Sequence, residues 1–391
     1  MTVWIIEPRD PLIARDGRPF GPVPGARAES LAFPFPSTTT GAVRTRNGLD
    51  ASGCFQPGEV PRVKQINVRG PLLVELDAGT GDVTRWLVPA PADALLLELK
   101  SADTAKAEIK QLVPLQLPPG AGTNLPEAMA LVGMPHRDPR KPSTKAPQYW
   151  DWDSFQQWLL NPQERDEVSL SDLGHDGLVR EARMHVSIRP NTQTADEERG
   201  ALFQTRGLEF IHMPEKQALS KARRLGLAVA TDAPSLKPGI GPLGGERRLV
   251  FWRRSNETLP SLSGALEERI AALGHCRLIL LTPAHFKAGW KPAWLLEGRE
   301  GVIPSLQAVA LKRCQTVSGW DFAKGERKPT RRLAPAGTVY FLKLDGDSAA
   351  VKRWIDTIWM HCVSDEEQDR RDGFGLAVLG VWDGTFHRME V

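Results

Sequence analysis

At 391 residues, 41% of them hydrophobic and 25% charged, with 12 Trp and 13 Phe, the chain is too long for one module of about 150 residues and too apolar for wholesale disorder. Its 50 Lys and Arg against 47 Asp and Glu leave a formal charge of +3, so nucleic-acid contact must come from local clusters and not from the surface as a whole. The opening MTVWIIEPRD lacks a secretory pattern, no 18 apolar residues run together, and Cys54, Cys276, Cys314 and Cys362 stand apart without a CxxC; a cytoplasmic chain with reduced, mostly buried cysteines, no membrane span and no thiolate metal site is expected.

Along the chain, residues 3–6 read as a strand. FPFPSTTTGAVRTRNG then reads as a helix, with Ser37 placed to cap free amides, Pro36 marking the boundary and Gly48 stopping it after Arg44 and Arg46. Residues 72–76 and 83–88, joined by the turn-rich 77–82, predict a hairpin. Eight prolines and little periodicity make 114–150 either an irregular excursion from the core or a mobile insertion. Segments 184–188 and 200–211 are the arms of a second hairpin with a long polar tip at 190–199. In the second half, 249–252 is a strand, Leu266, Ile270 and Leu273 share a helix face before Gly274, 277–281 is a strand, and 308–317 and 338–344 are extended. Val351, Trp354, Ile355, Ile358, Trp359 and Cys362, behind Asp347 and Ser348, predict the strongest amphipathic helix in the chain, and 376–382 closes it as a strand. The order is that of a β-α-β-β-α-β unit with one extra extended piece, and the first half fits a looser, heavily inserted copy of it. The expected fold class is therefore α+β, two ferredoxin-like domains. The first covers 1–245 and carries the Pro-rich insertion (114–150) and the hairpin (183–212); the second covers 246–391 and carries a glycine-rich loop.

Several signatures of chemistry are absent: no Walker A lysine, no HExxH and no GxSxG. One literal GxGxxG, Gly239-Ile-Gly241-Pro-Leu-Gly244, follows a loop and precedes a strand, the wrong context for a dinucleotide turn. The pairs His275-Cys276 and His361-Cys362 place neighbours on diverging faces and do not chelate one metal easily. The run from Trp320 to Arg332 holds five cations, Lys324, Arg327, Lys328, Arg331 and Arg332, beside two aromatics, a composition suited to phosphate contact and base stacking as well as to a solvated loop. Gly244-Gly245-Glu246-Arg247-Arg248 sets two arginines after flexible glycines, either for an anion or as a linker into the next strand. Ser37, Thr38 and Thr39 with Arg44 and Arg46 form a third candidate of free amides, hydroxyls and cations. Gly373-Phe-Gly375 partly matches an RNA-recognition strand, and equally a glycine turn feeding a buried strand.

Taken in order, WIIEPRDPLIARDGRPF, FPFPSTTTGAVRTRNG, MHVSIRPNTQTADEERGALFQTRGLEF, GGERR, VSGWDFAKGERKPTRRLAPAGTVYFL and DGFGLAVLGVWDG resemble the RAMP superfamily of CRISPR proteins, specifically the family of the third subunit of the type III-B (Cmr) effector complex. Arg189 departs from the acidic residue expected there. The resemblance implies paired RRM-like RAMP domains and a non-catalytic subunit of an antiviral ribonucleoprotein, with no cofactor. Its expected partners are the 5′ tag of the crRNA, the large polymerase/cyclase-like subunit, a neighbouring backbone RAMP subunit and, indirectly, target RNA. The RNA-binding candidates are then Ser37, Thr38, Thr39, Arg44 and Arg46; His185, Arg189, Asn191 and Thr192 on a thumb at the tag–guide boundary; Arg247 and Arg248; Trp320, Lys324, Lys328, Arg331 and Arg332; and Gly373 and Gly375. The alternative is a RAMP-type endoribonuclease that processes precursor crRNA. The first histidine is His136, which excludes a catalytic histidine near the first helix and leaves later ones such as His185.

Overall fold

The computed structural model describes residues 1–15, 27–28, 30–99, 103–126, 129–162, 165–196, 202–213, 219–321 and 325–390. The elements of the first half that position the site are, in chain order, β1 (Thr2–Pro8), α1 (Pro36–Asn47), β2 (Val68–Leu76), β3 (Val83–Pro89), α2 (Trp152–Leu160), β4 (Val179–Val186), β5 (Leu202–Glu209), β6 (Arg223–Thr231) and β7 (Leu249–Arg254). Five consecutive residues of β1, Val3 to Glu7, are buried, the mark of a strand covered on both faces. It lies at the centre of a sheet ordered Gly174–His175, Tyr149–Asp151, β3, β2, β6, β1, β7, Gly239–Pro242, in which β1 runs antiparallel to both β6 and β7. The predicted hairpin of β2 and β3 forms, with Leu73 opposite Leu87.

Three expectations for this half need correction. Ser37 does not cap α1: the helix starts from Phe35 with no side-chain cap, because Pro36, which has no N–H and a preset φ, takes the first helical position and draws Ser37 inside. The 114–150 stretch is not wholly irregular, since Val113–Gln116 pairs with Leu131–Gly133 and Tyr149–Asp151 joins the main sheet. The strand at 249–254, expected to belong with the later strands, pairs with β1, from Trp4 opposite Arg254 to Pro8 opposite Val250.

The second half contributes α3 (Gly264–Leu273), β8 (His275–Leu280), β9 (Ile303–Ala310), β10 (Gln315–Asp321), β11 (Glu326–Leu333), β12 (Val339–Asp345), α4 (Ser348–Ile358), α5 (Glu367–Arg371) and β13 (Leu376–Val381). Its sheet is antiparallel throughout, ordered β9, β12, β8, β13 and then His361–Cys362. α4 follows its periodicity through Val351, Trp354, Ile355 and Ile358, which are buried, and the Asp347 side chain accepts from the Ala350 N–H at 2.7 Å; it ends at Ile358, so Trp359 is its C-cap and Cys362, expected on the same helix, pairs with β13 opposite Leu376. β10 and β11 form a separate hairpin inserted between β9 and β12.

One apolar cluster runs from Leu72, Val88, Trp150 and Trp158 of the first half to Tyr340, Trp354 and Trp382 of the second, so the halves share a core. Within it Asp93 and Arg277 form an ion pair with both side chains fully buried. Arg277 also donates to the Val381 and Trp158 carbonyls at 2.8 and 2.6 Å, and Trp158 Nε1 donates to Asp93 at 3.1 Å. Every strong donor and acceptor of the pair is thereby engaged, the condition for tolerating buried charge. The architecture is a mixed α/β fold of antiparallel sheets with few helices. Among the described residues no helix is long and apolar enough to cross a membrane. Of the cysteines, Cys276 and Cys362 are buried and Cys54 and Cys314 exposed, so the expectation of mostly buried thiols holds for half of them.

Candidate nucleic-acid interface

Three cationic groups far apart in sequence meet around one open cleft of about 610 Å³. Ser37, Thr38, Thr45 and Arg46 of α1 form one wall; Leu243, Gly244 and Arg247 form the second; Ser318, Lys328 and Arg331 of the β10–β11 hairpin form the third. Arg15 also lines it, and no described lining residue is acidic. Focused positive potential between low-dielectric walls is the arrangement that concentrates a polyanion.

Arg46 is fixed in place. Its Nε donates to the Lys237 carbonyl at 2.8 Å, its Nη1 to the Ile240 carbonyl at 3.2 Å, and the guanidinium lies 5.9 Å from the Trp252 ring centroid. Its partial burial lowers its pKa below the ordinary arginine value. This seating explains part of the GxGxxG run: a Cβ at Gly241 would come within 2.5 Å of Arg46 Nη1. At Gly244, φ is +75° and a Cβ would come within 2.7 Å of the Ile13 carbonyl oxygen, so the third glycine is required by a backbone crossing.

The turn after Gly244 is held in an uncommon conformation. Glu246 and Arg247 have φ of 55° and 51°, and the turn closes through the Leu243 N–H donating to the Arg248 carbonyl at 2.8 Å. Two consecutive non-glycine residues in the left-handed region cost roughly 1–3 kcal/mol each; here the geometry holds Arg247 exposed at the cleft. Arg248 turns back to Glu246 at 3.2 Å and does not line the cleft.

On the hairpin, Lys328 and Arg332 are exposed, and Lys328 and Arg331 face the cleft. Arg331 pairs with Asp369, its guanidinium 5.3 Å from the Phe374 ring centroid, and the second oxygen of Asp369 bonds His285 Nδ1 at 2.7 Å. Lys324 and the side chain of Trp320 lie outside the described residues.

Other predicted residues are placed elsewhere. Thr39 is buried, its hydroxyl donating to the Pro36 carbonyl at 3.1 Å. Arg44 pairs with Asp372 at 2.5 Å and donates to the Ile66 carbonyl at 2.9 Å, away from the cleft. Gly373 and Gly375 are buried, with φ of +90° and +84°; a Cβ on the first would approach the Gly70 carbonyl oxygen to 2.6 Å, and on the second the Ser364 nitrogen to 2.9 Å. They let α5 and its following loop wedge between the two sheets. The loop is secured there by Thr40 Oγ1 donating to the Asp372 carbonyl and Thr282 Oγ1 to the Gly373 carbonyl, both at 2.7 Å.

The β4–β5 hairpin forms, its first strand beginning five residues before the predicted arm and ending at Val186, but it does not line the cleft. His185 Nε2 bonds Thr205 Oγ1 at 2.8 Å and its ring stacks on Phe203, centroids 5.1 Å apart. Arg189 meets Asp196 at 3.4 Å, and exposed Asn191 and Thr192 sit in a tight turn closed by the Arg189 N–H to the Thr194 carbonyl at 2.8 Å. Met184, Val186, Ile188 and Leu202 are 45–63% exposed, an apolar strip for which alternation in the strands gives one face. Residues 197–199 of the predicted tip and 200–201 of the predicted second arm lie outside the described ones. Among the described residues no group of three His, Cys, Asp or Glu side chains is arranged to hold a metal. Sequence reasoning missed Asp369, Asp372 and His285, which act through contacts 38, 328 and 84 residues away in sequence.

The family model of the CRISPR-associated protein Cas_Cmr3 matches residues 4–382. No curated protein matches. Two solved structures of type III-B Cmr-beta bound to cognate target RNA, one also with AMPPnP, are similar to this chain at 15% identity. The AMPPnP-bound one covers 91% of this chain and 88% of its own, TM-score 0.46; the other covers 87% and 86%, TM-score 0.45. A Csm3–Csm4 subcomplex of the type III-A interference complex is similar at 9% identity, covering 89% of this chain and 94% of its own, TM-score 0.36.

Proposed function

Because the chain belongs to the Cas_Cmr3 family of CRISPR-associated proteins, we propose that it is a non-catalytic, RNA-gripping subunit of a type III-B effector complex that holds the 5′ repeat-derived tag of crRNA in the α1/β10–β11 cleft. The observation that carries this reading is the convergence of Arg46, Arg247, Lys328 and Arg331 on one cleft whose described lining holds no acid. Lys328 and Arg247 have no carboxylate partner among the described residues and are the cations most available to phosphate. Trp252 and Phe35, at the base, give the cleft an apolar floor under its charged rim.

The strand orders support two ferredoxin-like cores. Reading β1, β2, β6 and β7 as strands one to four, the first sheet runs 4-1-3-2; reading β8, β9, β12 and β13 the same way, so does the second. The first unit has α1 after its first strand and no helix before its fourth, as a degenerate copy would. The β4–β5 hairpin, apolar on one face and standing clear of the cleft, is the thumb that meets the tag–guide boundary or the neighbouring backbone RAMP subunit. The large polymerase/cyclase-like subunit is the remaining partner.

Full-length chain binding to a tag RNA oligonucleotide, measured against salt, tests the reading. Each lost single-strand phosphate contact lowers the slope of log affinity against log salt by about 0.7, so Arg247→Ala with Lys328→Ala is expected to lower it by about 1.4 and to narrow the affinity gap about sevenfold between 50 and 200 mM salt. An unchanged slope overturns the cleft assignment.

A further inference from the structure

We propose that Asp369, a residue outside the cleft, is the positioning residue for its Arg331 cation. The inference rests on the cleft reading above and extends it from the residues that line the site to the one that aims them. Asp369 is 5% exposed, so it does not face the RNA itself. One of its oxygens takes Arg331 and the other takes His285 Nδ1, while the Phe374 ring supports the guanidinium at 5.3 Å. Arg331 keeps 26% of its side chain exposed and lines the cleft. A long side chain on a hairpin strand would otherwise sample many rotamers; a forked guanidinium held through one edge presents its remaining N–H groups in a fixed direction.

The same short segment secures the opposite wall. Asp372, three residues on, takes Arg44 on α1 at 2.5 Å, and its carbonyl accepts from Thr40 at 2.7 Å. One turn of chain at 369–372 therefore fixes both the hairpin wall and the α1 wall, and the cleft width is set by α5 and its loop. Two roles for Asp369 are physically opposed. A positioning carboxylate raises the affinity of Arg331 for phosphate; a masking carboxylate, neutralising the cation, lowers it.

The experiment is the salt dependence of tag-RNA binding by the full chain for Arg331→Ala, Asp369→Asn and the double variant, with melting temperature recorded alongside. Arg331→Ala is expected to lower the slope by about 0.7, narrowing the gap to wild type about 2.6-fold between 50 and 200 mM salt. Asp369→Asn is expected to match it, and the double variant to add nothing. A wild-type slope in Asp369→Asn, or tighter binding, overturns the proposal even if its melting temperature falls, since loss of structure alone does not remove one phosphate contact selectively. Should Asp369→Asn not fold, Asp369→Glu decides: the charge stays, but one extra methylene shifts the carboxylate off the Arg331–His285 bridge, so the slope is expected to fall, and a retained wild-type slope overturns the idea. If Arg331→Ala itself leaves the slope unchanged, this proposal falls, and the hairpin's part in the cleft reading falls with it. If only the Asp369 variants fail to act, the cleft reading stands without the positioning role.

Discussion

Replacing Asp93 by Ala would leave the Arg277 guanidinium buried without its counter-charge and the Trp158 indole N–H without an acceptor. Arg277 would retain the Val381 and Trp158 carbonyls, which satisfy two donors but do not neutralise it. Breaking one side of a fully buried pair costs about 3–5 kcal/mol. Because the apolar cluster runs through both halves, the chain is expected to unfold as one cooperative unit. An unfolding entropy of about 2.1 cal/mol/K per residue over 391 residues then gives a fall in Tm of about 4–6 °C. Asp93→Asn keeps an acceptor of the same shape and is expected to lose roughly half as much. Thermal and urea unfolding of the three proteins check this. A Tm for Asp93→Ala within about 1 °C of wild type would refute the reasoning, because it would mean water or a shifted side chain reaches the guanidinium and the site is not sealed.

Other expectations follow from local geometry. Gly373→Ala places a Cβ 2.6 Å from a backbone oxygen at φ +90° and is expected to destabilise by at least about 1–3 kcal/mol, whereas Gly41→Ala, helical and with open space around it, is expected to stabilise by about 0.5–1 kcal/mol; urea midpoints compare them. Burial, then the neighbouring His212, Arg223 and Arg85, lowers the His175 pKa from 6.5 to about 3. A folded-state pKa below the unfolded one means the unfolded chain binds the extra proton between these values, so stability is full above about 6.5 and falls as pH drops through that window. His175→Asn is expected to flatten the pH 7-to-5 dependence of the urea midpoint; an equal slope in both proteins would assign it elsewhere.

How far the sequence could be read depended on how local each cause was. α4 was legible because Val351, Trp354, Ile355 and Ile358 at helical spacing and an Asp cap act within one segment. The arms of β4 and β5 were legible for the same reason, although their apolar face turned out to be exposed. β6 escaped notice despite its LGLAVA run, which has no alternation because the strand is interior to the sheet, paired on its edges with β1 and β2, and each of its faces is buried in an apolar cluster. The pairing of β7 with β1 was not legible because it is a contact across more than 240 residues, invisible to periodicity. At the site, residue type found most of the cleft cations, but nothing in the spacing separated Arg46, which lines it, from Arg44, two positions away on the other side of the helix and bound to Asp372. The glycines at 373 and 375 were visible as special, and their reason, close backbone crossings, required the fold.

The most direct test of the central claim is a nucleotide-resolved crosslinking map of the crRNA in the assembled particle, with photoreactive bases placed through the tag. The account predicts crosslinks from tag nucleotides to peptides containing residues 37–46, 243–248 and 315–333 of this chain. Tag crosslinks that fall entirely on other subunits would contradict it.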